Sequence, residues 1–217
     1  MTTIRRPLLS AALLGILLFA FAETPVAAGS LRNEDAVRLR EIETWRKLAA
    51  AAHVRYTHWI AYSETIENER CPGVVGVFNV AARSERVLLY HLNRRLEVLG
   101  GRLSRKDQPE YTPCFTVDAA IAESLRLCSN PGDLSLPEKV AVPDTASVEA
   151  RRAASVTPAM LEWLDAQLRV MRSGPPDLYW WTREYFVCSL CGMPMADLRR
   201  RKCSACGADE TEFLRIR

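Results

Sequence analysis

Charge of one sign, histidine, glycine and aromatic side chains are all scarce in this chain. Lys and Arg number 29 against 26 Asp and Glu, a formal charge of +3 over 217 residues. That balance is too even for the concentrated basic face that nucleic-acid phosphates demand, so no nucleic-acid partner is expected. Ten glycines, 12 prolines and 8% aromatics exclude a collagen-like chain and argue against turn-dense all-β organisation. Histidine occurs three times, at His53, His58 and His91, and no Glu-x-x-His pair is present. What is there, 48% hydrophobic and 25% charged residues, excludes gross disorder and fits a helical protein of one or two domains.

The amino-terminal apolar run is short of the roughly 20 residues that span a bilayer comfortably. It extends from Pro7 to Ala22, follows Arg5 and Arg6, and carries small-residue sites at Ala20-Phe21-Ala22 and Val26-Ala27-Ala28. Residues 1–28 therefore read as a signal peptide or N-terminal anchor, and the expected location is exported and periplasmic, with membrane contact only if the segment stays uncleaved. Arg5-Arg6-Pro7-Leu8-Leu9 also resembles a twin-arginine signal, a route for proteins folded before export.

Residues 31–173 carry helical periodicity. Val37, Ile42, Trp45, Leu48, Ala52, Tyr56, Trp59 and Ile66 recur at three- and four-residue steps, predicting one long helix over 33–69, capped by Asn33 and ended by Cys71-Pro72-Gly73. A second helix is predicted from about Val74 to Leu99, stopped by Gly100-Gly101, and antiparallel to the first. Thr116 to Leu127 reads as a shorter third helix. Order resumes near Thr145, with Thr157-Pro158 expected to cap and begin a fresh helix whose stripe is Leu161, Leu164, Leu168 and Met171. Gly174-Pro175-Pro176 marks a boundary, beyond which 180–217 has a different composition.

The strongest signal lies in that tail. Cys188-Ser189-Leu190-Cys191-Gly192 and Cys203-Ser204-Ala205-Cys206-Gly207 are present, with eleven residues between Cys191 and Cys203. Two thiolates three residues apart grip a metal from one tight turn, and two such turns complete a tetrahedral site. The glycine after each pair can take positive φ and turn backbone N–H groups toward the sulfurs. Cys188, Cys191, Cys203 and Cys206 are thus expected to bind one metal ion. Iron would pass one electron and zinc would be structural, and four thiolates suit both.

This tail, with Tyr185-Phe186 before it and Phe213 near the end, resembles the rubredoxin-type module that closes rubrerythrins. A helical bundle followed by that module is the same order of parts, and Phe78-Asn79-Val80-Ala81-Ala82-Arg83-Ser84-Glu85 resembles the stretch leading to the family's Glu-x-x-His ligand pair. The resemblance implies a mainly α, ferritin-like, rubrerythrin-like four-helix bundle with a small rubredoxin-like, zinc-ribbon-like metal-knuckle module. It also implies a di-iron site in the bundle, and here the chain departs from the pattern. The histidine position after Glu85 is Leu88, the first-helix ligand falls on Ala49, and Glu123 has Arg126 where its partner is expected. His91 lies six residues from Glu85, about 240° round a helix, and does not replace the missing ligand. His53 and His58 read as ordinary helix residues, with a different site near Glu64 or Glu67 as the alternative.

The expected protein is therefore an exported one-electron carrier with a single iron, zinc being the alternative cofactor and an active di-metal peroxidase the more distant one. A redox protein is the expected partner, and a homodimer is compatible with the sequence. Cys71, Cys114 and Cys128 lie outside the motif. Export permits one disulfide among them, Cys114–Cys128 or Cys71–Cys114. The basic run Arg199-Arg200-Arg201-Lys202 reads as a solvated loop or a partner-steering patch, and Trp180 and Trp181 as packing between module and bundle.

Overall fold

The computed structural model describes residues 26–67, 71–103, 114, 116–130, 148–175, 177–178, 183–196 and 201–216. Four helices, α1 (Val26–Glu67), α2 (Pro72–Val98), α3 (Val117–Ser129) and α4 (Val148–Ser173), precede a small three-stranded sheet. The leader reading of 1–28, the Trp180–Trp181 pair and Arg199–Arg200 lie outside the described residues, apart from the start of α1. Among the described residues no helix is long and apolar enough to cross a membrane.

Helices α1 and α2 form the antiparallel hairpin that organises the rest. Pro72 sits in the first turn of α2, where its missing N–H costs nothing. At the other end Gly100 takes φ 78°. The Gly101 N–H bonds to the Leu96 carbonyl at 2.8 Å and the Gly100 N–H to the Glu97 carbonyl at 2.9 Å, the paired bonds of a Schellman close. Arg38 on α1 donates to the Leu99 carbonyl through Nε and Nη2, at 3.2 and 2.9 Å, tying the end of α2 to the body of α1. Beside it Glu41 accepts from Arg95 at 2.5 Å and from Trp45 Nε1 at 3.2 Å. Below this polar end Trp45, Leu48, Ala49, Leu92 and Leu96 form a small apolar cluster.

The larger core joins α1, α2, α3, α4 and the sheet. Trp59, Tyr62 and Phe78 make its aromatic centre, with ring centroids 5.6–6.1 Å apart. Helix α3 is capped by Thr116, whose hydroxyl accepts from the Ala119 N–H at 3.2 Å. It packs on α4, which also packs on α2.

Two helix boundaries differ from the sequence pattern. Asn33 does not cap α1, because the helix already runs from Val26. Gly29 lowers the helix propensity of this stretch without interrupting it, and Pro25 is the first residue upstream whose ring would stop propagation. Pro158 does not begin a helix either; it lies inside α4. Its ring is exposed, while Val156, Met160, Leu161 and Leu164 are buried on both sides of it. Burial of one continuous stripe outweighs the hydrogen bond that the proline removes.

The sheet contains β1 (Tyr185–Cys188), β2 (Pro194–Met195) and β3 (Phe213–Ile216) in the order β2-β1-β3, all antiparallel. Strand β1 is buried at every position and packs on α2. Gly76 on α2 leaves room for the Tyr185 ring, which would lie 3.4 Å from a Cβ there, and Trp163 of α4 meets the same ring edge-on at 5.7 Å. Burial separates two substitutions cleanly. Leu164→Ala, at a fully buried position, should lower unfolding free energy by about 2–5 kcal/mol. Leu39→Ala, 65% exposed, should stay within about 0.5 kcal/mol in the same urea titration.

Candidate metal centre

The two cysteine turns have the same build. In the first, the Gly192 N–H bonds to the Cys188 carbonyl at 2.8 Å and the Cys188 N–H to the Met193 carbonyl at 3.0 Å. In the second, the Gly207 N–H bonds to the Cys203 carbonyl at 2.9 Å and the Cys203 N–H to the Ala208 carbonyl at 2.8 Å. Gly192 and Gly207 take φ 81° and 75°, the left-handed region that side chains disfavour. The turn so formed aims N–H groups at sulfur. Leu190 and Cys191 donate to Cys188, Met193 to Cys191, and Ala205 and Cys206 to Cys203.

All four sulfurs lie within 4.8 Å of one another, with Cys188–Cys206 and Cys191–Cys203 at 3.6 Å. A tetrahedron with metal–sulfur bonds of about 2.3 Å has edges of about 3.8 Å, so the cage has the size of a single ion. Bonds from Cys188 and Cys191, aided by the backbone N–H groups, hold the Cys203 thiol low, while bonds to Cys188 and Cys203, with burial, push Cys191 up. A second group of three or more clustered ligands does not occur among the described residues.

The bundle shows why. Ala49 and Leu88 are fully buried apolar residues, as the sequence departure implies. Glu85 is also fully buried, and it faces Arg55 of α1, which is 1% exposed. Arg55 Nε bonds to Glu85 Oε1 at 2.5 Å and Nη2 to Oε2 at 3.0 Å. Burial pushes the Glu85 carboxyl above its ordinary range, and the guanidinium opposes that by charge and by hydrogen bonding. On α3, Glu123 takes two bonds from Arg126, at 2.8 and 2.7 Å, which hold its carboxyl low. Both carboxylates that matched a metal-ligand pattern are therefore already engaged by arginine. His58 lies within charge range of Glu123, but burial lowers its pKa. Glu64 and Glu162 are exposed; the Glu67 and Glu149 side chains lie outside the described residues.

Arg55 is the residue that sequence reasoning passed over. The available signal was a cation inside the apolar stripe between Ala52 and Trp59. All seven cysteines are free thiols, so the disulfide that export would permit is not formed. Cys71 and Cys114 are buried instead. Cys128 is half-buried, and burial together with the Asp165 charge pushes its thiol up to about 12.

Searches against family models and curated proteins find no match. Among solved structures, nigerythrin in its mixed-valence, partially reduced and fully reduced, all-ferrous states aligns with TM-score 0.57 in each case. Identity is 12–13%, over 81% of this chain and 86% of the nigerythrin chain. The fold is rubrerythrin-like. At this identity the likeness covers the architecture, a mainly helical body followed by a strand-containing region with a four-cysteine cluster.

Two outcomes check this description. Arg55→Met leaves a buried carboxylate without its cation and should cost about 3–5 kcal/mol in urea unfolding, most of which Arg55→Met with Glu85→Met should restore. Thiolate is the attacking form, so a thiol titrating at about 12 is almost wholly protonated at pH 8. Cys128 should react with iodoacetamide on the order of 10³ times more slowly than free cysteine there, and faster only as pH climbs toward 12, as peptide mass spectrometry would read.

Proposed function

We propose that this chain is an exported, rubrerythrin-like metalloprotein whose Cys188, Cys191, Cys203 and Cys206 hold one iron ion, and that it carries single electrons between redox proteins. The bundle is its scaffold. The observation that carries this reading is the contrast between the two candidate sites: four sulfurs converge at single-ion spacing, whereas both bundle carboxylates are engaged by Arg55 and Arg126. Bound iron would supply a ferric–ferrous couple. The chain's own part is to fix four thiolates on two rigid turns, so that little moves when the charge changes, and to direct backbone N–H dipoles at the sulfurs to spread their negative charge. Nigerythrin, the iron protein of similar fold, has been described in several oxidation states, which favours iron over zinc here.

Export to the periplasm rests on the Arg5-Arg6 flank and the apolar run 7–22. If that segment is retained, it anchors the same module to the membrane. A homodimer is compatible with this role but is not required by it.

Protein from iron-replete cells should contain about one iron per chain and show visible absorption that bleaches on reduction and returns on reoxidation. A colourless protein with stoichiometric zinc would make the tail structural and overturn electron transfer. A second metal per chain, or peroxide reduction lost in Glu85→Ala, would restore a di-metal oxidase reading.

A further inference from the structure

The two cysteine turns are alike in hydrogen bonding and opposite in surroundings. Cys188 and Cys191 are fully buried, and Gly192 lies so close to α2 that a Cβ on it would meet the Ser84 carbonyl at 2.9 Å and Leu88 at 3.4 Å. The first turn is sealed against its own bundle, with Leu190 as its exposed apolar edge. Around Gly207 a Cβ would meet nothing within 4 Å. Ser204, Ala205 and Gly207 are exposed, and Cys206 is the one half-buried ligand.

What lies behind the sealed turn matters equally. Ser84 and Leu88 belong to the turn of α2 that carries Glu85, itself bound to Arg55. None of these groups stores an electron, and no second metal cluster exists among the described residues. An electron arriving at the four-sulfur site has no onward station in the described part of the bundle.

Resting on the one-electron reading above, we infer that the 203–207 turn is a single port through which electrons both enter and leave. Donor and acceptor then take turns on one surface, and the chain works as a shuttle rather than as a relay through its bundle. The step is balanced by a one-electron donor protein, oxidised by one electron, and a one-electron acceptor protein, reduced by one. The port fits a partner with an acidic face. Arg201 and Lys202, both exposed, lead directly into Cys203, with Asp209 and Glu210 following on the far side of the turn. Cations beside the port speed the approach of an anionic partner.

Two measurements on the full chain test this. In zinc-loaded, isotope-labelled protein, the redox-inert trianion hexacyanocobaltate should shift amide signals at 201–207 and leave those of Gly192 and residues 84–88 unmoved. Shifts centred on the first turn or on α2 would overturn the port. In iron-loaded protein, Arg201→Glu with Lys202→Glu should slow both oxidation by ferricyanide and reduction by dithionite roughly 10-fold at low ionic strength, a gap that closes in high salt. Arg40→Glu, at the far end of the bundle, should change neither. Slowing in one direction alone would mean two ports and refute the inference. Protein that takes zinc and no iron would remove electron transfer itself, while the amide map would still locate the exposed face. If the double variant fails to hold its metal, that map on the parent protein decides.

Discussion

A buried arginine facing a buried glutamate decides what the helical body of this protein can be. Opposite charges in an apolar interior persist when they pair, and Arg55 and Glu85 do so with two parallel hydrogen bonds, while Arg55 Nη1 has no hydrogen-bond partner among the described residues. The pair joins α1 to α2 near the middle of the hairpin, so it fixes their register as well as their charge. A metal centre in this place would need several anionic ligands around divalent ions. The chain supplies instead one carboxylate and its own cation, with Ala49 and Leu88 as apolar wall. A site of the first kind is chemically active, whereas the second is a closed, neutral core.

The same turn of α2 connects this core to the sulfur cage. Glu85 turns inward to Arg55 while Gly192 lies close against the carbonyl of Ser84, and the Tyr185 ring lies over Gly76, about two turns earlier on the helix. The module therefore meets its own bundle at two points, and at Gly192 the approach is so close that a Cβ would collide with the Ser84 carbonyl. Docking of this kind buries the first cysteine turn and leaves the second outward, so the unequal exposure of the two turns follows from packing rather than from the cysteines themselves.

The parts legible in the sequence were those set by local rules. Cys-x-x-Cys-Gly needs only a few residues to form its turn, and both glycines adopt the expected positive φ. Gly100-Gly101 stops α2 as its pattern implies, and the apolar stripes placed four helices. Less legible were features decided between elements. Pro158 reads as a helix start until the stripe on both sides of it is seen to pack on one core. Asn33 reads as a cap because nothing local shows that residues 26–32 also wind into helix. Arg55 carries no sign of its partner, because pairing it with Glu85 requires the register of α1 against α2. That Ala49 and Leu88 stand where the resemblance implies ligands was visible residue by residue; the cation that pairs with Glu85 was not.

Anomalous diffraction from crystals of the purified protein, recorded on either side of the iron absorption edge, tests the central claim most directly. The account predicts one anomalous peak per chain, enclosed by Cys188, Cys191, Cys203 and Cys206, with ordinary guanidinium density beside Glu85. A second peak at Glu85, with Arg55 displaced from it, would contradict the account.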